Sequence, residues 1–352
     1  MIRLLILLVA LVLTFSCSSS ESSSGAASDR ISAVDISSFP EISTYNPTFK
    51  KQDGTPAPFL QIIKESGVNT VRLRLWVNPA NGHSGYDEVK AFSEELKALG
   101  FKVWLSLHYS DTWADPAQQS TPQAWINLNF NQLKTEVYNY TKMVVTGINP
   151  DYVQIGNEIN SGLLHPVGAL ANTENMVALL DAASKSVRDH APNCKIMIHY
   201  AGIDGAQWFF NQVAGVDYDL IALSYYPIWH GKSLQTLQET IGVLAQSQDK
   251  KVVLAETAYP FTLDWNDWTN NIVGLNEQLI LPDFPATPDG QKDFVSAIKS
   301  ITDTTPGAMG FCYWGGELIA WKGTQATDAS PWENQALFDF DLKALPVLDA
   351  FR

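Results

Sequence analysis

The sequence predicts a single (β/α)8 barrel, and three observations support that fold class. Eight short apolar runs follow one another between Ile31 and Trp314, and segments with helical periodicity lie between most of them. This alternation is typical of parallel βαβ units, and eight such units favour a closed barrel over an open sheet. No glycine-rich phosphate loop follows the first strand, which argues against a dinucleotide-binding fold.

The predicted elements alternate in order along the chain, each strand being a short apolar run and each helix an amphipathic segment. The predicted strands are Ile31–Ser37, Asn69–Val77, Lys102–Ser110, Tyr152–Ile159, Lys195–Tyr200, Asp219–Pro227, Lys251–Tyr259 and Ala308–Trp314. The predicted helices include Pro58–Ser66, Tyr86–Leu99, Asn129–Thr146, Thr173–His190 and Thr287–Thr302.

The N-terminal region is predicted to be a processing segment and is excluded from the fold. Residues 1–16 combine a positive end at Arg3 with an apolar run, and they precede Cys17 in a pattern that resembles a bacterial lipobox. Residues 17–30 are then a lipidated cysteine and a Ser-rich flexible tether, and residues 31–352 are the barrel. We expect an exported protein, lipid-anchored to the outer membrane and displayed at the cell surface. The alternative is an ordinary secretory signal with a chance cysteine.

Composition excludes some classes of partner. The net charge of -14 argues against nucleic acid, because phosphate binding requires clustered lysine and arginine. The chain has 11 Trp, 12 Tyr and 16 Phe, many of them in predicted loops, where aromatic rings could stack on sugars. Core packing is an equal alternative for any one of these rings. Nothing in the composition indicates more than a monomer.

Polar residues gather at the carboxyl ends of the predicted strands, although a strand interior normally excludes unpaired charge. Alternation of period two places Arg72, Arg74 and Trp76 on one face of the second strand. The same alternation predicts that Glu158 and Glu256 each share a face with the residue two positions earlier. Because carboxyl ends of barrel strands converge on one cleft, the sequence predicts an active site there.

Glu158 and Glu256 are the candidate catalytic pair, because glycoside hydrolysis uses two carboxyl groups that flank the scissile bond. A retaining enzyme needs one protonated and one ionised carboxyl, so their surroundings must separate their pKa values. We expect Arg74 to keep Glu256 charged as nucleophile and Tyr226 to donate a hydrogen bond to it. Glu158 is then the acid and base, with Asn157 free to hold the neighbouring sugar hydroxyl. His108 could orient the sugar or the arginines.

Several segments narrow the interpretation to one family. Asn157-Glu158 and Glu256 resemble the clan of retaining barrel glycosidases, and five further segments are similar to glycoside hydrolase family 53. These segments are VDIS at 34–37, VRLRLWVNP at 71–79, HYSDTWADP at 108–116, LSYYP at 223–227 and WENQALFD at 332–339. The resemblance extends from residue 31 onward. It implies a barrel of that clan and endo-hydrolysis of β-1,4-galactan, the side chain of pectic type I arabinogalactan, without a catalytic cofactor.

The resemblance also assigns residues. It implies that Glu158 is the acid/base and Glu256 the nucleophile. Weaker candidates for sugar contact are Asp111, Trp113, Trp332 and Asn334, for each of which packing is an equal alternative. The residues that would line the subsite of cleavage are Arg74, His108, Asn157, Tyr226 and Trp314.

Two segments depart from the family pattern. After Trp314 the family often has Glu-Pro, whereas this chain reads Gly-Gly-Glu, so the loop and the outer subsites are remodelled. Some bacterial relatives bind calcium in the loop after the seventh strand, where this chain offers Asp264, Asn266 and Asn270. Fewer charges predict weaker binding, and a solvated polar loop is the alternative.

Three other functions are alternatives. The nearest alternative is another retaining barrel hydrolase, which would act on mannan or β-glucan. A metal-dependent barrel hydrolase predicts a His-x-His pair on the first strand, which offers Asp35 and no histidine. A carbohydrate-binding lipoprotein without catalysis predicts that one of the two strand-end carboxylates is missing, and both are present.

Overall fold

The computed structural model describes residues 30–352, so the predicted signal peptide, Cys17 and all of the tether except its last residue lie outside the described part. Eight parallel strands close into a barrel in sequential order, with β1 pairing both β2 and β8. The predicted (β/α)8 barrel is confirmed. The strands are β1 (Ile31–Asp35), β2 (Thr70–Leu75), β3 (Lys102–Leu107), β4 (Tyr152–Ile155), β5 (Lys195–Ala201), β6 (Leu220–Ser224), β7 (Lys251–Thr257) and β8 (Ala308–Trp314).

Helices connect the strands and cover the outside of the barrel. The longest, α4, begins at a capping box in which Asn129 and Gln132 each accept a hydrogen bond from the other's backbone N–H. Within residues 30–352, no helix has the length and apolarity needed to cross a bilayer. The helices are α1 (Phe39–Ser43), α2 (Phe59–Glu65), α3 (Tyr86–Ala98), α4 (Phe130–Ile148), α5 (Thr173–His190), α6 (Ala206–Gln212), α7 (Pro227–His230), α8 (Leu234–Gln248) and α9 (Pro288–Thr304).

The interior of the barrel changes from apolar to polar along its axis. An apolar cluster that includes Trp104 and Met197 fills the lower part. Two residues further along β3 and β5 lie Ser106 and His199, which are fully buried and polar. The guanidinium of Arg72 lies 5.6 Å from the Trp104 ring and marks the boundary. Ser106 and His199 therefore belong to a buried polar layer on the carboxyl side of the apolar cluster.

Glu158 reaches the mouth of the barrel through a break in β4, not by regular alternation. The strand ends at Ile155, and Gly156 has φ 92°. Glu158 itself has φ 45°, a left-handed conformation that is uncommon for a residue with a side chain. The predicted strand, which ran to Ile159, was therefore too long.

Glu256 reaches the same mouth through a β-bulge in β7. Leu254 pairs with Leu223 and Glu256 pairs with the next residue of β6, Ser224, so Ala255 is an extra residue in the ladder. Leu254 packs in the cluster between the strands and the helices, whereas Ala255 belongs to the barrel interior. The expectation that Leu254 and Glu256 share a face was therefore wrong, and the bulge is the physical reason.

Candidate active site

Arg72 is the buried charge around which the site is built. Its guanidinium lies 2.7 Å from Asp35 Oδ2 and 2.8 Å from Glu256 Oε1, and it donates to Asn157 Oδ1 at 2.7 Å. The β1–β2 register places Asp35 opposite Arg72. Burial opposes the charge of Arg72, but Glu256 and then Asp35 outweigh burial and raise its pKa. Arg72 is therefore a permanent cation at the floor of the barrel mouth.

Both oxygens of the Glu256 carboxylate are held. Oε1 contacts Arg72, and Oε2 accepts a hydrogen bond from the Tyr226 hydroxyl at 3.0 Å. Burial, together with the charge of Asp35, raises the pKa of Glu256 above its ordinary value, while Arg72 and then Tyr226 act in the opposite direction and limit the rise. Because a cation touches this carboxyl, its ionised form is stabilised inside the protein.

The backbone of Glu158 is fixed by its neighbours. A Cβ at Gly156 would come within 2.6 Å of the Ile159 side chain, so the turn requires glycine there. The Gln119 side chain donates to the carbonyl oxygens of Asn157 at 2.8 Å and of Glu158 at 3.2 Å. A left-handed non-glycine residue carries strain that surrounding contacts must hold, and such residues cluster at functional sites.

The Glu158 carboxyl has surroundings that differ from those of Glu256. It is half-buried, its Oε1 accepts from the Ser224 hydroxyl at 2.5 Å, and no cation of the described chain forms an ion pair with it. Burial, followed by the negative charge of Glu256, raises the pKa of Glu158 to about 8. Glu158 therefore keeps its proton at neutral pH.

The two carboxyl groups lie close together: one oxygen of Glu158 and one oxygen of Glu256 are within 4.8 Å of each other. Retaining glycosidases place their two carboxyls about 5–5.5 Å apart, whereas inverting enzymes leave a wider gap for water. One carboxyl that is protonated and one that is paired with a cation are the acid and the nucleophile of such an enzyme.

A cleft of about 960 Å³ lies over the carboxyl pair, and indole rings form much of its wall. The Trp314 ring lies 4.6 Å from that of Trp332 and 6.1 Å from that of Trp113. Aromatic faces of this kind stack on the apolar faces of sugars. Besides Glu158 and Glu256, the predicted site residues that line the cleft are Arg74, Trp113, Asn157, Tyr226, Trp314 and Trp332.

Comparison with known proteins agrees with this geometry. The model of glycosyl hydrolase family 53 matches residues 31–351. The chain belongs to this family. An arabinogalactan endo-β-1,4-galactanase of Cellvibrio japonicus is 33% identical to it over 345 residues, which cover 91% of this chain and 89% of the relative.

Two solved structures extend the similarity to the fold. The GH53 catalytic domain of Ignisphaera aggregans superposes with a TM-score of 0.87 at 39% identity and covers 92% of this chain and 96% of its own. A structure from a study of two fungal β-1,4-galactanases superposes with a TM-score of 0.78 at 30% identity. The superposition covers 91% of this chain and 98% of the fungal chain.

In this family 53 hydrolase the arginine that holds Glu256 is Arg72, and the expectation for Arg74 was wrong. Arg74 lies two residues further along β2, where its guanidinium donates to the hydroxyls of Ser84 at 2.8 Å and Ser38 at 3.1 Å. It also lies 4.4 Å from the Trp113 ring. Arg74 therefore belongs to the wall of the cleft. The deeper arginine is the one that reaches the centre of the barrel.

Asn157 is more constrained than we expected. Its Oδ1 accepts from Arg72, and its Nδ2 donates to the carbonyl oxygen of Ala114 at 2.8 Å. The orientation of the amide is therefore fixed, and one of the two N–H groups of Nδ2 remains for another acceptor.

Three other predicted contacts lie behind the cleft. His108 Nδ1 accepts hydrogen bonds from the Trp76 indole and from a backbone N–H. Burial, followed by the charges of Arg72 and Arg74, lowers the pKa of His108, so the imidazole is neutral and supports the wall of the cleft. Asp111 accepts from the backbone N–H groups of Asn78 and Gln123 and joins two loops. The Asn334 amide is fully buried and donates to two backbone carbonyls.

The structure adds residues to which sequence reasoning gave no role. His199 and Ser224 stand among the buried polar residues at strand ends, and they contact each other and Glu158. Trp229 and His230 follow Tyr226 in α7 and line the cleft. The position of His199 and Ser224 at strand ends was a usable signal, whereas nothing in the local pattern marked Trp229 and His230.

In the loop after β7, the buried oxygens that lack a hydrogen-bond partner do not belong to the predicted calcium ligands. Asp264 Oδ2 accepts from the Thr262 hydroxyl at 3.2 Å, and Asn270 is exposed. Buried oxygens without a partner belong instead to Asp267, Asn271 and Glu333. Glu333 connects the segment after β8 with the loop after β7. Its other oxygen accepts from the backbone N–H groups of Asn266 and Asp267. Asp267, Asn271 and Glu333 are therefore an alternative set of oxygen ligands in this loop.

We predict that Arg72→Met lowers the free energy of unfolding by about 3–5 kcal/mol, because it leaves Asp35 and Glu256 buried beside each other without their cation. The loss shrinks as the pH falls, since protonation of Glu256 removes one of the two charges. Urea unfolding of both proteins across the acidic range measures the effect.

The matched control is Arg74→Met, which removes an arginine that bonds to hydroxyls. We expect a loss of roughly 1–3 kcal/mol that does not shrink as Glu256 is protonated. Equal losses with equal pH dependence contradict the assignment of Arg72 as the partner of Glu256.

Proposed function

We propose that this chain is an endo-β-1,4-galactanase that cuts galactan or type I arabinogalactan with retention of anomeric configuration. The observation that carries the proposal is the close pair of carboxyls, Glu158 without a cation and Glu256 with Arg72. The substrate follows from the family, since relatives that match over most of this chain are named galactanases. The long aromatic cleft suits a polymer chain.

In the first half of the reaction a Glu256 oxygen attacks the anomeric carbon and forms a glycosyl ester. The bond from that carbon to the leaving sugar breaks, and the leaving oxygen takes the proton of Glu158. Arg72 and Tyr226 hold Glu256 in its ionised form and in a fixed orientation before attack. Trp314 and the neighbouring indoles position the sugar and exclude water.

In the second half Glu158, now a carboxylate, takes a proton from water. The water oxygen attacks the anomeric carbon and releases Glu256 as a carboxylate. Two inversions at one carbon give net retention. Loss of the Glu256 ester restores the ion pair with Arg72, so the resting state is regenerated without another proton source.

The purified enzyme should release galacto-oligosaccharides from linear β-1,4-galactan, and NMR at early times should show the β-anomer. Glu256→Gln keeps the size of the side chain but removes the nucleophile, so kcat/KM should fall on the order of 10⁴-fold or more. Glu239→Gln, at an exposed position on α8, should leave kcat/KM unchanged.

Assays on mannan and carboxymethylcellulose test the alternative substrates. Hydrolysis of these polymers but not of galactan contradicts the substrate. Initial release of the α-anomer contradicts the retaining mechanism. Wild-type turnover by Glu256→Gln contradicts the assignment of the nucleophile.

We propose that calcium binds in the loop after β7 and has a structural role there. Support comes from the unpartnered oxygens of Asp267, Asn271 and Glu333, of which Asp267 and Glu333 are almost fully buried. Burial, and then the charge of Asp267, raise the pKa of Glu333, so a cation would relieve two neighbouring acids. Asp264, Asn266 and Asn270 are the outer candidates.

Calcium at a hundred times its dissociation constant should stabilise the protein by about 2.7 kcal/mol relative to EDTA. Asp267→Asn should abolish this difference in thermal unfolding, whereas Asp264→Asn should preserve it if the buried oxygens are the ligands. Identical melting curves in calcium and EDTA contradict the proposal, and loss in Asp264→Asn alone favours the outer set.

We propose that the protein is exported as a monomer and anchored through a lipid on Cys17, at the outer surface of the cell. Support comes from the charged and apolar residues before Cys17 and from the Ser-rich residues 18–28, all outside the described structure. In expressing cells, labelled palmitate should enter the wild type and not Cys17→Ser. Absence of label in the wild type contradicts the anchor, and resistance to added protease in intact cells contradicts surface display.

A further inference from the structure

The hydrogen bonds behind Glu158 have a single consistent direction. The backbone N–H of Glu158 points at His199 Nδ1 at 3.3 Å, and Gln154 Nε2 lies 2.9 Å from the same nitrogen. The Gln154 oxygen is fixed by Arg72, so its nitrogen must face His199. The remaining neighbour of Nδ1, Asn157 Oδ1, already accepts from Arg72. His199 Nδ1 is therefore an acceptor.

A neutral imidazole with an accepting Nδ1 carries its proton on Nε2. His199 is fully buried, and burial followed by the charge of Arg72 lowers its pKa far enough to keep it neutral. Its Nε2 lies 2.9 Å from Ser224 Oγ and must donate to it. The Ser224 hydroxyl then directs its own proton to Glu158 Oε1, at 2.5 Å.

This direction identifies which oxygen of Glu158 carries the catalytic proton. Oε1 accepts the hydrogen bond from Ser224, so the proton of the acid is on Oε2. When Oε2 gives that proton to the leaving oxygen, the new negative charge on Glu158 meets a donor that is already in place. No reorientation of Ser224 or His199 is needed, which is the advantage of a preorganised site.

The last residue of β6 and a residue two positions beyond it contact the two carboxyls. Ser224 donates to Glu158, and Tyr226 donates to Glu256. Residues at i and i+2 of an extended segment face the same side. The backbone of β6 and the residues that follow it therefore helps to set the separation of the two carboxyls.

We propose that Ser224 and His199 are positioning residues that form a one-way donor relay to Glu158 and stabilise the carboxylate it becomes during the first half of the reaction. The proposal rests on the galactanase reaction above. Both residues act through Glu158 and do not touch the substrate. The relay involves no net transfer of protons beyond the one that Glu158 gives to the leaving oxygen and later takes from water.

The test is the pH profile of kcat/KM on linear β-1,4-galactan. Ser224→Ala removes a donor that favours ionised Glu158, so the pKa of Glu158 rises and the alkaline limb moves to higher pH. We also expect kcat to fall roughly ten- to a hundredfold, because the emerging carboxylate loses its donor. Ser224→Thr keeps the hydroxyl and should restore the wild-type limb.

Tyr226→Phe, two residues further along the chain, is the matched control, because it removes the donor to Glu256. It should move the acidic limb to higher pH and leave the alkaline limb in place. If Ser224→Ala does not fold, His199→Asn removes the Nε2 donor and should move the alkaline limb in the same direction.

An unmoved alkaline limb in a folded Ser224→Ala or His199→Asn protein overturns the relay, as does a Ser224→Thr protein that behaves like Ser224→Ala. These outcomes differ from a failure of the proposed function, in which the wild type itself does not hydrolyse galactan.

Discussion

The ion pairs of Arg72 are the interaction on which the rest of the active site depends. A guanidinium buried above Trp104 needs negative partners, and Asp35 at Nη1 and Glu256 at Nη2 supply them. The same group holds the side chain of Asn157, the residue before Glu158. One cation therefore ionises the nucleophile and fixes the strand end that carries the acid. Glu158 lacks such a partner, and this asymmetry gives two chemically equal residues different roles.

Two irregularities in the strands direct the two glutamates to the mouth of the barrel. Gly156 allows the chain to leave β4 in a left-handed turn, which turns Glu158 toward the cleft. The bulge at Ala255 turns Glu256 inward although Leu254 faces the helices. The end of β6 and the residues that follow it then connect with both carboxyls through Ser224 and Tyr226. Bulges next to active sites re-aim side chains in this way.

The sequence predicted the barrel and placed the two glutamates at strand ends because apolar runs and their spacing are local properties. It could not predict which arginine reaches Glu256, since Arg72 and Arg74 share a face and only the three-dimensional depth of each separates them. It also could not reveal the bulge at Ala255, because a ladder irregularity depends on pairing with β6 and β8. The loop after β7 shows the same limit, as its buried unpartnered oxygens include one from Glu333, far along the chain.

The central claim is that Glu158 is protonated and Glu256 ionised in the resting enzyme, because Arg72 touches only the second. Carbon-13 NMR of carboxyl-labelled glutamate in the wild type, titrated from acidic to alkaline pH, measures both groups directly. The structure predicts that Glu158 loses its proton at about pH 8 and Glu256 at a lower pH. A titration in which Glu256 holds its proton to higher pH than Glu158 would contradict the account.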